Sequence, residues 1–346
     1  MPPRELVPID TSYREVPSVA VLEQGNPINL EYAEPSPVMG FFSRLWNRII
    51  FLFKATLVLL ALGTYPALTI SAHKVDDSRI EFANGYEWSV GEIGGTVTLI
   101  ARILEGPGWA GNQPKWHPQA RLTAMPAWQE AIAASTSDYT RLIAVQTGNE
   151  DVAAAARLLA PEGASMNDRL TAAAEILARY DSNVENGHAV SSSGERALVG
   201  KLNLTIGWAN DSRSTLAIQA RDTTTWPASY ENIETFYTAK ARAHVAHELL
   251  NAALHSESEV VTARGLTKAK TDALDLWRRA ATQKPLFVAN LSGSDSLLGN
   301  HLTNMALLMD EASAATRVLA EALDQPIREP EIAKSAELSA NMPPSP

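Results

Sequence analysis

Residues 49–72 read IIFLFKATLVLLALGTYPALTISA, 24 residues with one charge. At 1.5 Å rise per residue such a run covers a hydrocarbon core of roughly 30 Å. A buried helix of a soluble protein keeps a polar face, and residues 55–62 have none. The run therefore predicts a membrane-spanning helix. Lys54 lies near its start, where a long stem carries the ammonium back to the headgroups, and Trp46 and Tyr65 suit the two interfaces. Arg44, Arg48 and Lys54 concentrate basic charge on the N-terminal side, whereas Lys74 and Arg79 beyond the run are offset by Asp76 and Asp77. That asymmetry predicts a cytoplasmic N-terminus. The nearly fifty residues ahead of the run are too long for the n-region of a signal peptide, which favours an uncleaved anchor.

Residues 1–40 are dotted with Pro and Glu and show no sustained period, as expected of a disordered tail. Residues 41–48, FFSRLWNR, suit a helical turn or two at the headgroups. Within the span, Gly63, Ala67 and Ser71 recur every four residues, a small-residue strip that lets a second helix approach closely and points to self-association or a partner helix. The plainer reading of that strip is a chance pattern in an anchor.

Beyond the span, apolar residues recur at three- and four-residue spacing, predicting helices over 93–105, 127–146, 150–159, 167–184, 194–222, 229–261, 267–283 and 295–324. Gly106-Pro107-Gly108, Pro161, Gly187, Pro227, Gly265 and Pro285 interrupt them. The expected fold is all-α, one transmembrane helix followed by an elongated soluble helical bundle over 73–325, with a frayed tail over 326–346.

A net charge of −10 with scattered acids leaves no basic stripe to neutralise phosphates, so nucleic acid is not an expected partner. Zero cysteines remove disulfides, thiolate nucleophiles and zinc-thiolate sites, and fit an oxidising compartment. His244, His247, Glu248, Asn251 and His255 share one arc of a predicted helix, where three could ligate a metal. Their order is not HExxH, and Val245, Leu249, Leu250, Ala253 and Leu254 take the opposite arc, so a solvated or inter-helix polar face accounts for them. No metal or other cofactor is expected. The stretch 290–296, NLSGSDS, with His301 following, suggests a hydrolase but lacks the GxSxG elbow, and Asp295 or Ser294 reads more simply as a helix N-cap. Residues 106–118, GPGWAGNQPKWHP, hold Trp109 and Trp116 on a stiff loop that either stacks on sugars or peptides or folds back over helix ends. Trp109, Asn112, Asn290, Asn300 and His301 are expected at one end of the bundle, and with Trp116 they form the candidate interaction surface.

The stretches GPGWAGNQPKWHPQARLTAMPAWQ (106–129), AARLLAPEG (155–163), SYENIETFYTAKARA (229–243) and NLSGSDSLLGNHLTNM (290–305), with HKVDD after the span, resemble an uncharacterised bacterial family of single-pass inner-membrane proteins. The resemblance runs over about 73–323 and does not include the histidine stripe. It implies a Gram-negative inner membrane and a periplasmic helical domain, and no catalytic residues. The expected role is a scaffold or accessory subunit of an envelope complex. Two alternatives are an envelope hydrolase using His244, His247 or His301, and a cell-wall or peptide-binding module using Trp109 and Trp116.

Overall fold

A computed structural model describes residues 37–72, 74–80, 88–105, 108–114, 116–163, 165–221, 229–285, 288–290 and 300–325. The tails at 1–36 and 326–346 lie outside them. The chain divides into two units, Met1–Ala61 and Leu62–Pro346.

Helix α1 (Pro37–Ala72) runs continuously through the apolar stretch. It starts at Pro37, whose fixed φ suits a first helical position, so residues 37–40 belong to the helix and not to the tail, and 41–48 form no separate turn. Arg44–Leu68, 25 residues, is long and apolar enough to cross a membrane, and none of its most apolar window is buried. Phe51 and Leu59 are 70% and 69% exposed. The α1 residues past Ala61 belong to the second unit.

The protein is all-α, with no strand among the described residues. The rest of the second unit contains α2 (Gly91–Leu104), a 3-10 turn (Ala110–Asn112), α3 (Pro118–Arg121), α4 (Ala124–Thr147), α5 (Glu150–Leu159) and α6 (Met166–Glu185). They are followed by α7 (Glu195–Gln219), α8 (Tyr230–Ser256), α9 (Ser258–Ala263), α10 (Thr267–Ala281) and α11 (His301–Asp324). Local chemistry sets several boundaries. Gly148 closes α4 in the left-handed region at φ 66°, and the Asn149 side chain then accepts the Val152 N–H at 3.0 Å to start α5. Ser229 caps α8 through the Asn232 N–H at 3.1 Å. The helix expected over 229–261 breaks at Glu257, whose carboxylate accepts the Gly194 N–H at 2.6 Å. The last helix begins at His301, capped by Asn300, which corrects the expected start near residue 295; Ser294 and Asp295 lie outside the described residues.

Successive long helices alternate in direction. The start of α7 meets the end of α8 at Gly194 and Glu257, and Arg242 Nη1 reaches Ser212 Oγ further along at 3.3 Å. Asp181 near the end of α6 receives the Val90 N–H just before α2 at 2.7 Å. Ser313 of α11 bonds Asn210 of α7 at 3.1 Å, and Trp277 of α10 donates to Thr316 of α11 at 2.9 Å. The helix at the centre is α8, packed by α2, α4, α7, α10 and α11. Its small residues Ala239, Ala241, Ala243, Ala246 and Ala253, all buried, let five neighbours approach.

Candidate functional site

Burial on every side changes the reading of the histidine stripe. His244 is 1% exposed, His247 7% and Glu248 1%, so they form an inter-helix polar seam, and only His255 of this set is exposed. Periodicity separated a polar arc from an apolar one and left a solvated or an inter-helix face open; burial selects the inter-helix face, and Glu248 meets the Ile80 amide of residues 74–80. Among the described residues no three His, Asp or Glu side chains gather to hold a metal ion.

Residues 74–80, KVDDSRI, follow α1 as a strap that is neither helix nor strand. Asp76 fixes its turn by accepting from the Ser78 N–H and hydroxyl at 3.0 and 2.6 Å. Asp77 and Ile80 point inward and are buried. The Asp77 carboxylate bonds Lys240 Nζ of α8 through one oxygen and Lys284 Nζ, just past α10, through the other, both at 2.8 Å. The Ile80 N–H donates to Glu248 Oε2 at 3.1 Å, while Glu248 Oε1 lies 2.9 Å from His247 Nδ1. Arg102 of α2 donates to the carbonyls of Ser78 and Arg79. Trp128 of α4 backs the cluster, with Lys240 5.6 Å from its ring centre and the His244 ring centre 5.5 Å away, the two rings tilted by 31°.

Burial works to raise the Asp77 pKa, but the two lysines outweigh it and hold the carboxyl below its ordinary value. His244 is pushed down to about 4, first by burial and then by the positive charge of Arg102. Its Nε2 has no hydrogen-bond partner among the described residues. The imidazole is therefore neutral at pH 7. The arrangement clamps a carboxylate and the backbone of the strap.

A second buried pair lies toward the other end of α8, where Lys201 of α7 bonds Glu92 of α2 and the Ser192 carbonyl, the latter at 2.6 Å. Both side chains are under 5% exposed. Tyr139 is fully buried nearby, and desolvation together with the Glu92 charge raises its phenol pKa well above 10.

The residues singled out from sequence distribute as follows. Trp109 is buried, its backbone N–H donating to Asn167 Oδ1 at 2.9 Å, and Gln129 bonds both Gly108 O and Ala110 N–H, so this turn folds back over the starts of α4 and α6. Trp116 is 70% exposed, with His117 beside it at 6.2 Å. Asn112 closes the 3-10 turn; its side chain lies outside the described residues. Asn290, Asn300 and His301 do come together: Asn300 Nδ2 bonds Asn290 Oδ1 at 3.1 Å, and His301 Nδ1 accepts the Ala289 N–H at 3.0 Å. Asn290 also donates to Gln219 O at 3.0 Å, and burial lowers the His301 pKa. Both motifs sit at the end where α4, α6, α8 and α11 begin, Trp109 on α6 and the Asn–His set on α11 and α7. On α1, Gly63 and Ala67 are exposed, nothing lies within 4 Å of a Cβ built on Gly63, and the Ser71 side chain is outside the described residues.

The helix cap yields a direct expectation. Asn300→Ala removes the acceptor for the Thr303 N–H at 2.9 Å and the bond to Asn290, and should cost about 1–2 kcal/mol, read as a thermal midpoint a few degrees lower. An unchanged midpoint would show that the cap is solvent-replaced.

Sequence reasoning missed Asp77, Lys240, Lys284, Glu92 and Lys201. A signal existed for Lys240, a cation set between Phe236, Ala239, Ala241 and Ala243 where a solvated helix face should not be so apolar. No family model matches the chain, nor does any curated protein or solved structure.

Proposed function

We propose that this chain is a single-pass bacterial inner-membrane protein whose helical bundle, on the periplasmic side, serves as a scaffold or accessory subunit of an envelope complex. The observation that carries the anchoring is the apolar stretch Arg44–Leu68, whose most apolar window has no buried residue and which water does not tolerate at this length. The direction comes from Arg44, Arg48 and Lys54 on its N-terminal side. The compartment follows from that direction and from the family resemblance. An interaction role is favoured over chemistry because the ionisable groups of the bundle centre are spent on one another. His244, central to a hydrolase reading, is sealed under Trp128, and His301 holds a backbone amide. The exposed ring of Trp116 supports a peptide or cell-wall contact as a second reading.

Two measurements test the anchor and its direction. The protein should stay with membranes through alkaline carbonate extraction. A periplasm-dependent phosphatase fused after Pro346 should be active, and a fluorescent protein that folds only in the cytoplasm should be dark there. Release by carbonate would remove the anchor, and the opposite fusion pattern would reverse the compartment.

A further inference from the structure

The strap is bound to the bundle in the manner of a peptide ligand. Its contacts come from bundle side chains and join positions 163 and 168 residues apart. Only Asp77 and Ile80 are deeply buried, while Lys74, Asp76, Ser78 and Arg79 between and beside them are exposed. Two anchors three residues apart, brought to one side by the turn at Asp76–Ser78, together with Arg102 reading two carbonyls and Glu248 reading one amide, constitute a recognition code. The code asks for a carboxylate, two intervening residues, and an apolar residue that retains its N–H.

We infer that the cleft between α2, α8 and the end of α10 is a binding groove for an acidic non-helical segment, held in this chain by its own residues 74–80, and that a partner's segment enters by replacing the strap. The inference rests on the reading of this chain as an interaction protein and names the chemistry of its partner. A carboxylate is required because Lys240 is 2% exposed and its counter-ion is Asp77; a strap that left without a replacement would strand a buried ammonium. Exchange between two carboxylate ligands avoids that state. Proline is excluded at the Ile80 position because Glu248 needs the amide hydrogen. Tethering gives the strap a high effective concentration, so the resident segment masks the groove until a stronger or locally concentrated competitor arrives.

The test uses the full chain in detergent and a labelled peptide of residues 74–80, KVDDSRI. Asp77→Asn weakens the resident strap, so this variant should bind the peptide at least tenfold more tightly than wild type. The same peptide carrying Asp77→Asn or Ile80→Pro should lose at least tenfold. Lys284→Ala guards against failure to fold, since that side chain is 70% exposed and outside the helices. It should speed amide hydrogen exchange in residues 74–80 severalfold while α8 exchanges as in wild type. Equal peptide binding by wild type and a folded Asp77→Asn variant overturns the inference. So does Lys284→Ala with strap exchange unchanged, or with strap and α8 exchange rising together, because the strap would then be a fixed part of the fold. None of these outcomes bears on carbonate extraction or the fusions, so the two readings fail separately.

Discussion

Lys201→Ala is expected to destabilise the bundle by about 3–5 kcal/mol, the loss that follows when one member of a buried ion pair is removed and the other stays behind. Glu92 is 3% exposed and cannot turn to water, and the Ser192 carbonyl loses its donor in the same step. In a domain of this size the thermal midpoint should fall by roughly 10 °C. Replacing both partners with apolar residues of similar volume, Lys201→Met with Glu92→Leu, should recover most of the loss, leaving about 1–2 kcal/mol for the unpaired carbonyl. Unfolding of the single and double variants, followed by tryptophan fluorescence in detergent, separates the cases. A single variant within about 1 kcal/mol of wild type would mean that water reaches Glu92.

Acidification should weaken the fold between pH 6.5 and about 4 through His244. Its folded pKa is depressed to about 4 from an ordinary 6.5, so the unfolded chain takes up a proton in that window and the folded chain does not. The contribution is complete above pH 6.5 and declines as pH falls toward 4. At about 1.4 kcal/mol per pH unit the loss reaches about 3 kcal/mol at the bottom of the window. The groups facing His244 set the limits. Glu248 and Asp77 favour its charged form, Arg102 and His247 oppose it, and burial is the largest influence. Asp76 and Asp77, both held below the ordinary carboxyl value, add losses of the same sign at lower pH. Glu130 and Asp181, raised by burial, act in the opposite sense. His244→Phe keeps a ring against Trp128 and removes the titration, so its stability should change by about 3 kcal/mol less than wild type between pH 6.5 and 4. Parallel pH profiles would show that His244 protonates without opening the structure.

The sequence by itself determined the helical class, the boundaries of most helices to within a few residues and the 24-residue apolar run. These follow from local physics: a 3.6-residue period, Gly and Pro at breaks, and unbroken apolarity over a membrane's thickness. Helix 150–159 agrees at both ends because Asn149 and the following acids supply its start signal and Pro161 its stop. Tertiary structure decided which polar side chains are buried. Asp77, Lys240 and Lys284 are unremarkable one by one, and their meaning comes from contacts across 163 and 207 residues of chain. His244 and Glu248 read as a solvated or inter-helix stripe because they share one polar arc, and the choice fell to the inter-helix face because α8 is surrounded by five other helices. Periodicity records how one helix sorts its own residues. It carries no record of what packs against each face, and whether Lys240 meets water or a carboxylate depends on that packing alone.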